Sequence, residues 1–196
     1  MISVNLTLIT FVVVMVCWFV FALTFLLRKK PAVVSDQKRD PGSIPGVVLQ
    51  GLSYLIVWAG RRPFSTSLVS FSKVAAVILE ILAVVSAIAS VLLVVAALKT
   101  LGKEWSITAR VVTGHKLAMK GPYDFVRHPI YTGMLGMLLA TGIAVSYWPA
   151  LLVAIAVYFG GTLIRIRSEE RLLRETFGAE FEEYSRRVPA LLPGLY

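Results

Sequence analysis

Arg165 and Glu169 stand four residues apart, directly after the longest uncharged stretch of the chain, Pro129 to Ile164, which runs for 36 positions. Four residues is about one helical turn, so the two side chains share a face and can pair. Such a pair at a helix exit has a plain structural use, as a salt bridge beside an arginine whose stem lies along apolar surface. It also has a chemical use, because unlike charges at that depth can hold a zwitterionic ligand or two oppositely charged groups. These two residues alone leave both readings open. Arg167, Glu170 and Arg171 read as the solvated part of the same helix.

Both histidines of the chain, His115 and His128, fall in one short loop that leads into the uncharged stretch. Two histidines without a third ligand make a poor zinc site, so no metal is expected there. They read equally as interfacial loop residues. Pro122 and Pro129 bracket a rigid turn, which favours a fixed binding surface over a flexible linker. Glu80 is the one acid expected at membrane depth, where an ionisable residue is a functional candidate by default; the alternative is an interhelical hydrogen bond. No glycine-rich phosphate loop or Ser/Cys nucleophile with a matching base is present, which argues against a soluble-type nucleotide-binding domain.

The elements that must position these groups are membrane helices. The chain has 196 residues, 57% hydrophobic and 16% charged, more apolar surface than a soluble domain of this size can bury. Its net charge of +9 is dispersed among the loops, which argues against nucleic acid and for lipid headgroups. The single cysteine, Cys17, lies in an apolar run and allows neither an intrachain disulfide nor a cysteine metal site. Spans are predicted at Val4–Leu27, Gly46–Gly60 (short, spanning or re-entrant) and Val69–Leu98. The 36-residue block supplies two more, broken at Ser146-Tyr147-Trp148-Pro149. Gly133, Gly136, Ala140 and Gly142 permit close packing of the fourth span. The tail from Arg165, with six Arg and six Glu, reads as an amphipathic helix that continues the fifth span and is capped at Phe177-Gly178.

The expected fold is thus all-α and polytopic, with about five transmembrane helices. Residues 1–98 hold three of them, and residues 99–196 hold a loop, a helical hairpin and a C-terminal amphipathic helix. The positive-inside rule puts the N-terminus outside and the C-terminus in the cytoplasm, with Arg61-Arg62 on the wrong side.

Taken in order, Leu101-Gly-x-x-Trp105, Gly114-His-x-Leu117, Lys120-Gly-Pro-Tyr123, Arg127-His-Pro-x-Tyr131, Arg165-x-x-x-Glu169 and Phe177-Gly-x-x-Phe-x-x-Tyr184 resemble the isoprenylcysteine carboxyl methyltransferases and their prokaryotic relatives. The resemblance covers about the last 100 residues and is specific as a set. It implies an integral membrane enzyme of the cell membrane that uses S-adenosylmethionine and methylates a carboxylate on a lipid-borne acceptor with a prenyl or acyl chain. Membrane lipids are then its surroundings, and no obligate protein partner is expected. By position, His115, Lys116, Leu117, Ala118, Tyr123, His128, Pro129, Ile130 and Tyr131 would line a cytoplasmic cofactor pocket with Glu169, and Arg165 would face the acceptor. Phospholipid N-methylation and thiol S-methylation are the alternative chemistries. The competing class is a non-enzymatic transporter or assembly protein with Glu80 as its key charge.

Overall fold

The computed structural model describes residues 2–27, 36–63, 66, 68, 72–102, 110–112 and 117–192. Five long helices form a bundle: α1 (Ile2–Leu26), α2 (Ile44–Ala59), α3 (Lys73–Leu101), α4 (Pro129–Val145) and α5 (Trp148–Phe177), followed by a short α6 (Ala179–Arg187). Four stretches are long and apolar enough to cross a membrane: 6–26, 41–59, 73–101 and 148–177. At 17 residues α4 is shorter, about 25 Å of rise. The protein is a polytopic membrane protein of all-α class, as the sequence predicts. A two-stranded antiparallel ribbon supplements the helices. In it β1 (Asp36–Arg39) pairs with β2 (Arg110–Val112) in the register Asp36↔Val112, Lys38↔Val111 and Arg39↔Arg110.

Local chemistry sets the helix ends. The Ser72 side chain accepts a hydrogen bond from the Ala75 N–H at the start of α3. Gly102 closes α3 at φ +54°, and Gly178 parts α5 from α6 at φ +51°. Between α4 and α5 the chain turns within Ser146-Tyr147, with a proline in the first turn of α5. The second span starts earlier than the apolar run suggests, because a 3-10 turn over Pro41–Ser43 leads straight into α2.

The helices pack as antiparallel pairs, α2 on α5 and α3 on α4, and glycine allows the close approaches. A Cβ on Gly133 would lie 2.5 Å from Val94 Cγ2 and one on Gly136 2.3 Å from Ser90 Oγ. Between α2 and α5 the contact is backbone to backbone, since a Cβ on Gly161 would lie 2.8 Å from the Gly46 carbonyl oxygen. Val57, Val94, Met137, Leu138, Ala154 and Tyr158 are buried in the shared core, while Phe19, Leu55, Ile81 and Leu152 point outward, as lipid-facing side chains must. Polar side chains bridge helices inside this core. Trp18 Nε1 donates to Thr141 Oγ1 at 2.9 Å, and the Tyr54 hydroxyl donates to the Met134 carbonyl at 2.7 Å.

Glu80 is buried and accepts from the Thr7 hydroxyl at 3.1 Å, joining α1 to α3. Arg62, the misplaced charge of the topology rule, is buried as well. Its guanidinium donates to the carbonyls of Ile143 (2.6 Å), Ser146 (2.6 Å) and Thr66 (2.8 Å), so it serves as a side-chain cap for the C-terminus of α4. Arg62 N also donates to the Val145 carbonyl and Tyr147 N to Gly60, which ties the α2–α3 connection to the hairpin turn.

Candidate active site

The opposite end of the bundle gathers the charged residues. A 3-10 turn over Gly121–Asp124 delivers the chain to the start of α4, with Gly121 at φ +64°. There the C-terminal segment lies alongside: Arg127 N donates to the Pro189 carbonyl (2.8 Å), His128 N to Ala190 (2.9 Å) and Thr132 Oγ1 to Leu191 (2.5 Å). These bonds fix His128 at the mouth of α4, facing the lower half of α5.

His128 lies between two adjacent carboxylates. Its Nδ1 is 3.5 Å from Glu169 Oε2 and its Nε2 is 3.2 Å from Glu170 Oε1. Only the imidazolium offers a proton to both. Burial alone would lower the His128 pKa, but the hydrogen bonds and negative charge of Glu169 and Glu170 prevail and hold it above its ordinary value. The ring stacks on Tyr131, with centroids 5.5 Å apart and planes 8° from parallel.

The two carboxylates have different surroundings. Glu170 is buried and takes Arg127 at Nε (2.9 Å) and Nη2 (2.8 Å), and Arg174 at 3.1 Å. The reading of Glu170 as a solvated residue is therefore corrected: Arg127, itself pinned to the C-terminal segment, covers that side of α5 and dries it. Glu169 keeps 23% of its side chain exposed and accepts from the Tyr131 hydroxyl and from Arg165 Nη2 at 3.3 Å. Arg165 is buried, with its guanidinium carbon 4.8 Å from the Tyr131 ring centroid, in cation–π range. Its Nη1 donates to Gln50 Oε1 on α2 at 3.2 Å. Tyr158 steadies this corner by donating to the Tyr131 carbonyl at 2.6 Å. One turn along α5, Ser168 donates to Asp40 at 2.6 Å; this bond, with that from the Gly42 N–H, holds the Asp40 carboxyl below its usual range.

Of the residues singled out in the sequence, the structure brings His128, Tyr131, Arg165 and Glu169 into one connected cluster. Pro129 begins α4 beside them, and Ile130 packs against the neighbouring core. Leu117 and Tyr123 stand apart from it. Leu117 packs with Phe181, Tyr184 and Val188, and the Tyr123 carbonyl accepts from the Tyr184 hydroxyl at 2.7 Å. Ala118 is half-buried between Leu117 and Met119, and His115 and Lys116 lie outside the described residues. Arg127, Glu170 and Gln50 were not among the site residues expected from the sequence. A groove of about 460 Å³ runs along α5 from Leu163 and Ile166 past Arg167 and Arg171 to Arg174, with Glu170 shared between it and the cluster. Among the described residues no group of three or more His, Cys, Asp or Glu could hold a metal ion.

A helical bundle with apolar outer faces and a charged cluster at one end defines an integral membrane protein. The chain belongs to the isoprenylcysteine carboxyl methyltransferase family, which residues 67–175 match. That stretch takes in α3 as well as the cluster, and stops short of the Phe177–Tyr184 motif. Among curated relatives, the cobalt-zinc-cadmium resistance protein CzcN of Cupriavidus metallidurans is 37% identical over 106 residues, 50% of this chain and 45% of that protein. Protein-S-isoprenylcysteine O-methyltransferase B of Arabidopsis thaliana is 36% identical over 80 residues, 40% of each chain. Methanethiol S-methyltransferase 2 of Bradyrhizobium diazoefficiens is 38% identical over 74 residues, 38% of this chain and 27% of that protein. The matches span less than half the length of these relatives.

Proposed function

We propose that the protein is an S-adenosylmethionine-dependent membrane methyltransferase acting on a carboxylate of a lipid-borne acceptor with a prenyl or acyl chain. The observation that carries this reading is the buried Arg165 guanidinium, held between Tyr131, Glu169 and Gln50 at the edge of the apolar hairpin. In this reading the site and the C-terminus face the cytoplasm and the N-terminus lies outside. Residues 99–196 carry the cofactor loop, hairpin and C-terminal helix, and residues 1–98 supply three helices against which they pack.

The donor set suits the cofactor. Glu169 is a partly exposed carboxylate for a cationic group, held from behind by the stacked His128 and Tyr131, and Leu117, Ala118, Tyr123, Pro129 and Ile130 are apolar or aromatic. His115 and Lys116 complete that assignment by position in the sequence. When bound, S-adenosylmethionine would supply a methyl group on a sulfonium, whose transfer to a carboxylate oxygen would cancel both charges, leave the sulfur as a neutral thioether and require no proton movement. The chain's task is therefore alignment and exclusion of water. Arg165 orients the carboxylate through its planar donors, and Glu169 fixes Arg165 from the other side. His128, as imidazolium, keeps Glu169 and Glu170 close together despite their like charge. The apolar walls of α4 and α5 admit the lipid tail laterally.

A thiol acceptor is the second reading, favoured by the similarity to a protein named methanethiol S-methyltransferase. Arg165 would then stabilise the thiolate. An amine acceptor requires a proton to leave, with Glu169 or a histidine as base and Arg165 on phosphate. Detergent-solubilised protein is expected to bind S-adenosylhomocysteine in a calorimeter, more weakly as His128→Ala or Glu169→Ala. Radiolabelled methyl transfer to prenylcysteine analogues, phosphatidylethanolamine and small thiols then separates the acceptors. Absence of S-adenosylhomocysteine binding refutes the reading, and transport that depends on Glu80 but ignores Arg165→Ala supports a non-enzymatic protein instead.

A further inference from the structure

Gln50 lies on α2, outside the stretch that matches the family, yet it is fully buried against the site. Its amide is oriented from both ends. Nε2 donates to Thr162 Oγ1 at 2.9 Å, which turns Oε1 toward Arg165 Nη1 at 3.2 Å. Thr162 and Arg165 are three residues apart on α5 and share a face. The depth of α2 is set one turn earlier, where a Cβ on Gly46 would lie 2.5 Å from both Arg165 Cγ and the Gly161 carbonyl oxygen. The approach of two glycine backbones thus carries the amide to the guanidinium.

We propose that Gln50 is a positioning residue for Arg165 and sets the charge that Arg165 presents to an acceptor. The inference rests on the methyltransferase reading given above. A neutral amide accepts a guanidinium N–H without cancelling its charge. Glu169 already balances Arg165 once. Even with the His128 imidazolium that Glu169 also faces, a second carboxylate at position 50 would add negative charge beside Arg165, weakening its hold on an anionic acceptor and favouring a neutral or cationic one. Glutamine is the residue of this length that supplies an acceptor for Arg165 and a donor for Thr162 while adding no charge.

The test compares wild type with Gln50→Glu, which keeps the shape, and Gln50→Leu, which keeps the volume and suits the apolar surroundings if the acid does not fold. One negative charge about 6 Å from an acceptor carboxylate predicts a 10- to 100-fold rise in KM for a prenylcysteine carboxylate in Gln50→Glu. The dissociation constant for S-adenosylhomocysteine is expected to stay within about twofold, and Gln50→Leu to raise the acceptor KM by less. Equal losses toward cofactor and acceptor, or an acceptor KM unchanged in both variants, overturn the inference. A wild-type protein that methylates nothing in the panel sinks the proposed function; the pair is then judged by thermal midpoints of Gln50→Leu, Arg165→Leu and the double variant. Additive effects there overturn the Gln50–Arg165 coupling, and a double variant less destabilised than the sum supports it.

Discussion

Glu169 and Glu170 are neighbours in sequence with opposite expected responses to loss of charge. Glu170 accepts two contacts from Arg127, at 2.9 and 2.8 Å, one from His128 at 3.2 Å and one from Arg174 at 3.1 Å. Glu170→Gln keeps the volume but turns an amide toward a buried guanidinium and imidazolium. Breaking a buried ion pair by removing one partner costs about 3–5 kcal/mol. For a chain of this length that is a fall in thermal midpoint of about 6–20 °C. Glu169→Gln also takes a carboxylate from the buried Arg165, but the amide still accepts from the Tyr131 hydroxyl, Gln50 still accepts from Arg165 and the partly exposed side chain can be hydrated, so its cost stays at about 1–2 kcal/mol. Its expected deficit lies in affinity for S-adenosylhomocysteine. The assay is thermal unfolding in one detergent, paired with calorimetric titration of the ligand. A Glu170→Gln midpoint within 2 °C of wild type, or a Glu169→Gln protein less stable than Glu170→Gln, refutes the division of labour between the two carboxylates.

Further outcomes are expected elsewhere. Because the folded-state pKa of His128 is raised above 6.5, its contribution to stability is complete below that pH and fades as pH rises through the folded value; midpoints measured from pH 6 to 9 should decline, and less steeply in His128→Gln. Gly161→Ala drives a Cβ into the Gly46 carbonyl and Leu49, costing about 1–3 kcal/mol in thermal unfolding and pushing α2 off Arg165. Arg62→Met strips three carbonyls of their donor and should cost about 3 kcal/mol, with S-adenosylhomocysteine affinity unaffected at the far end of the bundle. Glu80→Gln keeps an acceptor for Thr7 and should unfold near the wild-type midpoint, whereas Glu80→Leu should not.

The first two spans were legible because charge resumes where each apolar run ends, and the hairpin turn because Pro149 cannot lie in a helix interior. Arg62 looked like an error of topology, since the positive-inside rule counts charges and cannot see a guanidinium spent on carbonyls at the end of α4. Glu170 was misread for a related reason. The residues that dry its side of α5, Arg127 and the segment at 185–190, come from elsewhere in the chain. Helical spacing locates a face without saying what covers it. Gln50 did leave a signal: it is the one amide in the apolar run from Gly46 to Gly60, and a polar side chain at that depth demands a partner. Naming Arg165 as that partner required the Gly46–Gly161 approach, which no pattern within either helix encodes.

The bonds from Arg127, His128 and Thr132 to the carbonyls of 185–191 also set an order of events during synthesis. All five long helices precede residues 185–191 in the chain, so the segment that completes the cluster is synthesised after the bundle. A chain without residues 185–191 would keep its five long helices but have nothing to seat His128 against the two carboxylates.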